Sequence, residues 1–161
     1  MKSLDSAKTV LCPFDFTPAC RVSLAESARL AKRLGANLHV LHVLVTPPIV
    51  VLTPTESLAA PAIDQTSFVK SVETKRSPEI QAELDRTGVS GVAAKITFRD
   101  ALHADVAILE FADAEHVDLI VMAKHAKAAL SRFLLGSITE RVLRHAKCPV
   151  LVIPVPGDKK P

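Results

Sequence analysis

Short apolar runs alternate with amphipathic segments along most of the chain. Each run is too short for a typical helix and lies between polar or turn-forming residues, which is typical of strands buried on both faces. The predicted strands are residues 9–14, 37–45, 92–98, 117–122 and 149–154. The predicted helices are residues 18–34, a segment within 64–87, residues 101–115 and residues 137–145. This alternation favours an α/β fold with one parallel sheet and helices on both faces.

Capping signals place the ends of the first and last helices. Thr17 and Pro18 supply an N-cap followed by a proline at the first helical position, and Gly35 supplies a helix stop. At the last helix, Ser137 and Glu140 have the spacing of a capping box. Ser137 is therefore predicted to be the N-cap of that helix.

The two middle helices are less sharply defined by the sequence. Pro78, within the second one, predicts either an internal break or the start of a separate helix. The third shows the spacing of an amphipathic helix. Its predicted core-facing residues are Leu102, Val106, Leu109 and Ala112.

Length and composition limit the class of protein. The 161 residues are 48% hydrophobic with a net charge of +3, which fits one domain over residues 1–161 and excludes general disorder. No apolar run reaches the ~18 residues of a membrane span, and the first residues lack a signal-peptide pattern. We therefore expect a cytoplasmic protein without a membrane partner. Clustered prolines predict a flexible loop over 46–63, and residues 155–161 are predicted to be a frayed tail.

The cysteines and histidines form no recognisable metal or redox motif. The cysteines lack CxxC spacing, and we predict Cys12 in the core, Cys20 on a helix surface or in an interface, and Cys148 buried before the last strand. His39 and His42 are three residues apart on a predicted strand, so they point to opposite faces. We assign no metal site and no catalytic residue.

Signatures of nucleic-acid and common nucleotide sites are missing from the sequence. The six aromatic residues are all phenylalanine, and lysine and arginine are not clustered, so we expect no nucleic-acid partner. Neither the GxGxxG pattern of dinucleotide sites nor the Walker A pattern occurs.

The predicted topology nevertheless selects one edge of the sheet for a ligand. In an open parallel sheet, ligands bind beyond the carboxyl ends of the strands. Asp15 follows the first strand, Val43 lies near the end of the second, and the loop at 123–137 follows the fourth. Gly136 and Ser137 close this loop at a helix start, where free N–H groups favour an anion.

Three segments of the chain resemble the universal stress protein family. They are TVLCPFDFTPA, LHVLHVL and DLIVMAKHAKAALSRFLLGSITERVLRHAKCPVLVIP, and together they extend over nearly the whole chain. The resemblance implies a Rossmann-like, adenine-nucleotide-hydrolase-like fold with five parallel strands. It also implies a homodimer paired through the strand at 149–154 and, in some members, binding of ATP with magnesium.

Members that bind ATP carry two glycines and a later Gly-Ser or Gly-Thr pair in the loop after the fourth strand. Here Ala123 and Ala126 stand at the two glycine positions, whereas Gly136 and Ser137 match. If both alanines needed a left-handed backbone, phosphate binding would weaken by roughly a hundredfold, whereas ordinary dihedrals would cost little. The site residues that the resemblance implies are Asp15, Val43, Ala123, His125, Ala126, Gly136, Ser137 and Ile138.

Each of these features also has a purely structural interpretation. Asp15 can simply close the turn after the first strand, and the capping box can be complete without a ligand. Lys124, His125 and the other basic residues of the loop can form a solvated surface, and His125 has no partner that would make it a general base.

Two functions from different classes follow from these patterns. The first is a dimeric binding or regulatory module with protein partners and an impaired or absent ATP site. The second is an ATP-binding protein with slow hydrolysis that uses Asp15 and the loop after the fourth strand. The alanines favour the first, and the intact spacing supports the second. A further hypothesis assigns the specific function to residues 46–76, as a lid or a partner-binding surface.

Overall fold

The described part of the chain alternates strands with helices. The computed structural model describes residues 4–46, 65–124 and 136–155. The strands are β1 (Thr9–Pro13), β2 (Asn37–Val45), β3 (Ala94–Ala101), β4 (Leu119–Lys124) and β5 (Val150–Pro154). The helices are α1 (Pro18–Leu34), α2 (Gln65–Arg86), α3 (Ala104–Ala114) and α4 (Ser137–His145), preceded by a short 3-10 turn at Leu4–Ser6.

The five strands form one parallel sheet in the order β3-β2-β1-β4-β5. The first strand of the chain therefore lies in the centre, and the second half of the chain is added on its other side. Helices lie on both faces, so the predicted fold class is confirmed. The carboxyl ends of β1 and β4 are adjacent, which creates the switch point where ligands bind in such sheets.

Each face of the sheet has its own hydrophobic core. Val10 and Cys12 of β1 pack with residues of α1 and α2 such as Leu24 and Ile80. Leu11, which points the other way, packs with residues of α3 and α4. This alternation follows from the period of two in a strand, and burial on both faces explains why the strands are continuously apolar.

The sequence predicts the ends of α1 correctly but not the N-cap of α4. Thr17 is the N-cap of α1, its hydroxyl accepts the N–H of Cys20 at 3.3 Å, and Gly35 ends the helix with a φ of 63°. These predictions are confirmed. At α4, Gly136 is the N-cap and Ser137 is already helical, so the predicted capping box with Ser137 as the cap is wrong.

The core face of the third helix agrees with its prediction only in part. Its first helical residue is Ala104, because β3 continues to Ala101, three residues beyond its predicted end. Leu102 and Val106, predicted to face the core, are 55% and 45% exposed. Ala112 is buried as predicted, and Leu109 is half-buried against the same core. The other buried positions are Ala107, Ile108 and Phe111, with Asp105 in the first turn.

The second helix runs through its proline without interruption. Pro78 lies inside α2, so both alternatives in the prediction, a break and a new start, are wrong. Ile80 and Leu84, just after the proline, are buried against the sheet. Packing of this face compensates for the backbone hydrogen bond that the proline cannot donate.

The two histidines of β2 point to opposite faces, as predicted. The Nδ1 atom of His42 lies 2.7 Å from the Phe14 carbonyl oxygen, on the face covered by α1 and α2. The ring of His39 packs edge-on against Phe111 of α3, with 5.7 Å between ring centroids. Burial lowers the pKa of His39.

Part of the sequence prediction lies outside the described residues. This holds for nearly all of the predicted loop at 46–63 and of the tail at 155–161. Of the proposed lid at 46–76, the described part begins at Gln65 and is helical. Among the residues described, none of the helices has the length and apolar character that a bilayer crossing requires.

Candidate functional site

A cavity of about 380 Å³ opens at the carboxyl ends of the central strands. The polar side chains of its lining come mainly from two places: Asp15 and Thr17 follow β1, and Ser137 and Thr139 belong to the first turn of α4. Most of the remaining lining is apolar. Its larger or more deeply placed apolar residues are Phe14, Leu41, Val43, Ile108, Met122 and Ala123.

The Asp15 carboxylate is held by the residue that caps α1. Its Oδ1 atom accepts the backbone N–H of Thr17 at 3.0 Å and the Thr17 hydroxyl at 2.6 Å. The Thr17 hydroxyl accepts in turn the N–H of Cys20 at 3.3 Å. The direction of the carboxylate is therefore coupled to the start of α1, and Asp15 is exposed where it lines the cavity.

Three helices begin at this cavity. Thr17 caps α1, Ala104 is the first residue of α3, and Gly136 is the N-cap of α4. Gly136 has no side chain to bond the first amides of α4, and the N–H of Glu140 bonds back to the Gly136 carbonyl at 2.9 Å. The N–H groups before Glu140 therefore have no partner within the helix, and together with the helix dipole they favour a negative group.

Ala123 has an extended backbone at the end of β4. It pairs with Ile153 of β5, and the described non-glycine residues with a positive φ are Phe16 and His116. The argument from left-handed strain therefore does not apply at this position. The Ala123 carbonyl accepts the Thr139 hydroxyl at 3.3 Å, which ties the end of β4 to the first turn of α4.

Six of the predicted site residues line the same cavity. They are Asp15, Val43, Ala123, Gly136, Ser137 and Ile138. His125 and Ala126 lie outside the described residues. The sequence prediction did not include Thr17, Cys20, Ala104 and Thr139, which also line the cavity. Helix-start signals pointed to the neighbourhood of two of them, since Thr17 is the predicted N-cap of the first helix and Thr139 lies two residues after Ser137, the predicted N-cap of the last.

Cys20 lines the cavity, so the prediction of a surface or interface position is wrong. It lies in the first turn of α1 with 7% of its surface exposed, because this turn packs over the end of β1. Burial raises the pKa of its thiol to about 12, and the neighbouring Asp15 carboxylate contributes to the shift. Cys20 therefore remains protonated at neutral pH.

The other two cysteines lie away from the cavity. Cys12 is buried in the core, as predicted, and burial raises the pKa of its thiol to about 11. Cys148, predicted to be buried, is only half-buried, because it lies in the turn just before the edge strand β5. Neither thiol has the lowered pKa of a reactive cysteine.

The charge of the cavity lining is sparse. Asp15 is the single charged side chain among the described residues that line it. Arg141 of α4 lies 3.6 Å from the Asp105 carboxylate, so its charge is directed to α3. Within the described ranges, no group of three or more histidine, cysteine or acidic side chains could hold a metal ion. Among the described residues, the site combines an apolar floor, the Asp15 carboxylate and two helix N-termini without a side-chain cap, those of α3 and α4.

Comparison with known proteins gives consistent matches over most of the chain. A sequence model described as the universal stress protein family matches residues 6–154. A universal stress protein of Methanocaldococcus jannaschii is 28% identical over 150 residues, which cover 92% of this chain and 83% of that protein. The structure of the universal stress protein UspA from Lactobacillus plantarum has a TM-score of 0.69 at 22% identity, covering 91% of this chain and 97% of the other.

A third match was solved with a nucleotide bound. It is a universal stress protein in complex with cAMP, with a TM-score of 0.62 at 19% identity. The alignment covers 92% of this chain and 98% of that one. At such identities, the structural likeness establishes a common fold.

Proposed function

Because the chain belongs to the universal stress protein family, we propose that it is a binding and regulatory module whose cavity takes the nucleoside part of an adenine nucleotide and binds ATP weakly. The observation that carries the proposal is the lining of the cavity, where an apolar floor faces the Asp15 carboxylate and the start of α4. An apolar floor suits a purine ring, Asp15 can accept hydrogen bonds from ribose hydroxyls, and the start of α4 suits one phosphate. The relative with bound cAMP supports a ligand with a single phosphate.

The charge of the described part of the lining argues against tight binding of a triphosphate. Proteins usually neutralise a phosphate chain with lysine, arginine or a magnesium ion. The described lining contributes a carboxylate and no lysine or arginine. Arg141, at the outer side of α4, is already paired with Asp105. The second and third phosphates therefore gain little attraction from the described part of the site.

A second candidate is an ATP-binding protein with slow hydrolysis. The observation that favours it is the extended backbone of Ala123, since replacement of a family glycine costs no strain there. On this view Ala123→Gly changes the Kd for Mg-ATP by less than twofold. A tenfold gain in affinity would instead show that the Ala123 methyl group obstructs the phosphates.

Calorimetric titration with adenosine, AMP and Mg-ATP tests the proposal. We expect micromolar Kd values for adenosine and AMP, and at least tenfold weaker binding of Mg-ATP than of AMP. A Kd for Mg-ATP below about 10 μM, equivalent to about 7 kcal/mol of binding free energy, would support the second candidate instead. Failure of all three ligands to bind would refute a nucleotide role for the cavity.

Asp15→Asn provides the matched variant for the same titration. Its amide oxygen can still accept from Thr17, so the turn is kept while the charge is removed. We expect adenosine to bind about tenfold more weakly, because a charge-assisted hydrogen bond is lost. Asp100→Asn is the control, since Asp100 is exposed on β3 and does not line the cavity. Equal effects of both substitutions would contradict a contact between Asp15 and the nucleoside.

We also propose that the protein is a homodimer paired through β5, with further protein partners bound by the dimer. The strand contains four apolar residues followed by Pro154, and Leu151 is 37% exposed. The opposite edge strand, β3, carries Lys95 and Arg99, and charges on an edge strand discourage pairing. The contrast between the two edges supports β5 as the interface of a symmetric dimer.

A further inference from the structure

Phe16 has a left-handed backbone at the mouth of the cavity. Its φ is 65°, a conformation that is unfavourable for a residue with a bulky side chain. Phe16 lies between Asp15 and Thr17, where the chain turns from β1 into α1. Such a conformation persists only where surrounding contacts hold it.

The contacts that hold Phe16 come from three elements. Its ring packs edge-on against Phe14 and His42, with centroid distances of 5.0 and 5.3 Å. The guanidinium carbon of Arg76, on α2, lies 4.8 Å from the centroid of the same ring, within the range of a cation–π contact. Phe14 also lines the cavity, whereas Phe16, His42 and Arg76 are not among the lining residues, so the contacts from β2 and α2 support the turn from outside the cavity.

The residue before Asp15 is fixed as well. His42 Nδ1 lies 2.7 Å from the Phe14 carbonyl oxygen, and since a carbonyl oxygen only accepts, Nδ1 carries the proton and donates. The same imidazole packs against the ring of Phe16. Thus His42 contacts the residues on both sides of Asp15.

On the cavity side, the turn continues into a chain of hydrogen bonds. Cys20 N–H donates to the Thr17 hydroxyl, and the Thr17 hydroxyl and N–H both donate to Asp15. Both N–H donors belong to backbone groups whose positions depend on the conformation of Phe16. A change of φ at Phe16 would therefore redirect the carboxylate.

We infer that Phe16 is a positioning residue, whose ring, held by His42 and by Arg76 of α2, keeps the Asp15 carboxylate directed into the ligand cavity. The role of the carboxylate toward a ligand rests on the proposed function, whereas the geometry of the turn does not. Loss of the ring removes the support of the left-handed backbone, and the turn relaxes. Arg76 then influences ligand binding from α2 without touching the ligand.

The ligand arm of the test compares adenosine with 2′,3′-dideoxyadenosine, which lacks the 2′- and 3′-hydroxyls of the ribose. In the unsubstituted protein we expect adenosine to bind about tenfold more tightly. Phe16→Asn removes the ring, and because asparagine tolerates a left-handed backbone better than most residues, a loss of preference reports the missing ring contacts and not new backbone strain. We expect this variant to reduce the preference for adenosine to less than threefold, although Asp15 is intact.

A second pair of variants tests the contact from α2. Arg76→Gln removes the cation over Phe16. It should also reduce the preference for adenosine over the dideoxy analogue, but less than Phe16→Asn does. Its control is Glu79→Gln, which removes the ion-pair partner of Arg76 at 2.7 Å and leaves the cation in place. Phe68→Ala, at an exposed phenylalanine of α2, controls for the loss of an aromatic ring. An unchanged preference in both Phe16→Asn and Arg76→Gln overturns the inference.

Amide hydrogen exchange of Thr17 and Cys20 supplies a readout without ligand. We expect exchange at least tenfold faster in Phe16→Asn and unchanged in Phe68→Ala. Unchanged exchange in Phe16→Asn overturns the positioning role, whichever ligand binds. If the unsubstituted protein binds neither nucleoside, the proposed function fails, and the exchange measurement alone decides the role of Phe16.

Discussion

Thr97 and His39 lie on the same face of neighbouring strands, and each has one buried polar atom without a hydrogen-bond partner among the described residues. In the β2–β3 ladder His39 pairs with Lys95 and Leu41 pairs with Thr97, which places both side chains beneath α3. The buried atoms are Nδ1 of His39 and Oγ1 of Thr97. An unsatisfied buried polar atom lowers stability.

Thr97→Val is therefore expected to stabilise the protein. Valine has nearly the same shape, and the substitution removes the unbonded hydroxyl, so the free energy of unfolding should rise by roughly 1 kcal/mol. Chemical denaturation measures this difference. Thr139→Val is the contrasting variant, because the Thr139 hydroxyl is buried but bonded to the Ala123 carbonyl, and its loss should destabilise. A destabilised Thr97→Val would show that its hydroxyl has a partner in solution.

The free energy of unfolding is expected to decrease as the pH is lowered below neutrality. Burial lowers the pKa of His39 from its ordinary 6.5; the nearby Glu115 carboxylate opposes this shift to a smaller extent, and the charge of Lys95 adds to it. Below about 6.5 the unfolded chain therefore binds more protons at this residue than the folded chain. Neutral His39 therefore makes its full contribution to the free energy of unfolding above about pH 6.5. This contribution is lost progressively as the pH falls toward the lowered pKa of His39 in the folded protein.

Denaturation at several pH values between 7 and about 5 tests this prediction. His39→Phe should show a flatter dependence of the unfolding free energy on pH. His103→Gln is the control, because this imidazole is exposed at the start of α3. The role of His39 would be contradicted by parallel pH profiles for the unsubstituted protein and His39→Phe.

The homodimer proposed above is expected to depend on the apolar edge of β5. Leu151→Lys places a charge in that edge and should give a monomer in sedimentation velocity at micromolar concentration. Ala94→Lys adds the same charge to the opposite edge strand and should leave the dimer intact. A monomeric unsubstituted protein, or a dimer that tolerates Leu151→Lys, would contradict pairing through β5.

Asp118 joins the starts of two strands that are far apart in sequence. Its Oδ2 atom accepts the N–H of Lys8 at 2.9 Å and that of Thr9 at 3.2 Å, and its own N–H donates to the Thr9 carbonyl at 3.0 Å. Asp118→Ala is expected to lower the free energy of unfolding by about 2 kcal/mol, because charge-assisted bonds are lost.

Thermal or chemical denaturation checks the effect of Asp118→Ala. The matched control is Asp113→Ala, which removes a half-exposed carboxylate paired with Lys147 at 2.6 Å and should change stability by less than about 1 kcal/mol. Equal losses in the two variants would argue against a specific clamp at Asp118.

Local signals explain which parts of the fold could be predicted from the sequence. The limits of α1 follow from Thr17, Pro18 and Gly35, whose conformational preferences act over a few residues. The core face of α3 was predicted only in part, because apolar residues occur around much of this helix: Ala112 is buried as predicted and Val106 is exposed. Val106 and Ile108 both satisfy an apolar pattern, and only the later start of the helix, at Ala104, decides which of them is buried.

The position of the candidate site could likewise be predicted from the topology of the sheet, whereas its tertiary details could not. The rule that ligands bind beyond the carboxyl ends of parallel strands placed Asp15, Val43 and Ser137 at the cavity without a strong motif. The inward turn of Cys20 and the left-handed backbone of Phe16 depend on how α1 and α2 pack over β1. Those relations are tertiary, so the short-range pattern does not contain them.

The central position of β1 has a consequence for folding during synthesis. β1 pairs with β2 on one side, and its ladder on the other side joins Val10 to Leu119, more than a hundred residues later in the chain. Until β4 has left the ribosome, a nascent chain that has assembled β1, β2 and β3 exposes one edge of its most buried strand. That unpaired edge makes the interval before β4 emerges the stage at which the growing chain is most open to aggregation or to a chaperone.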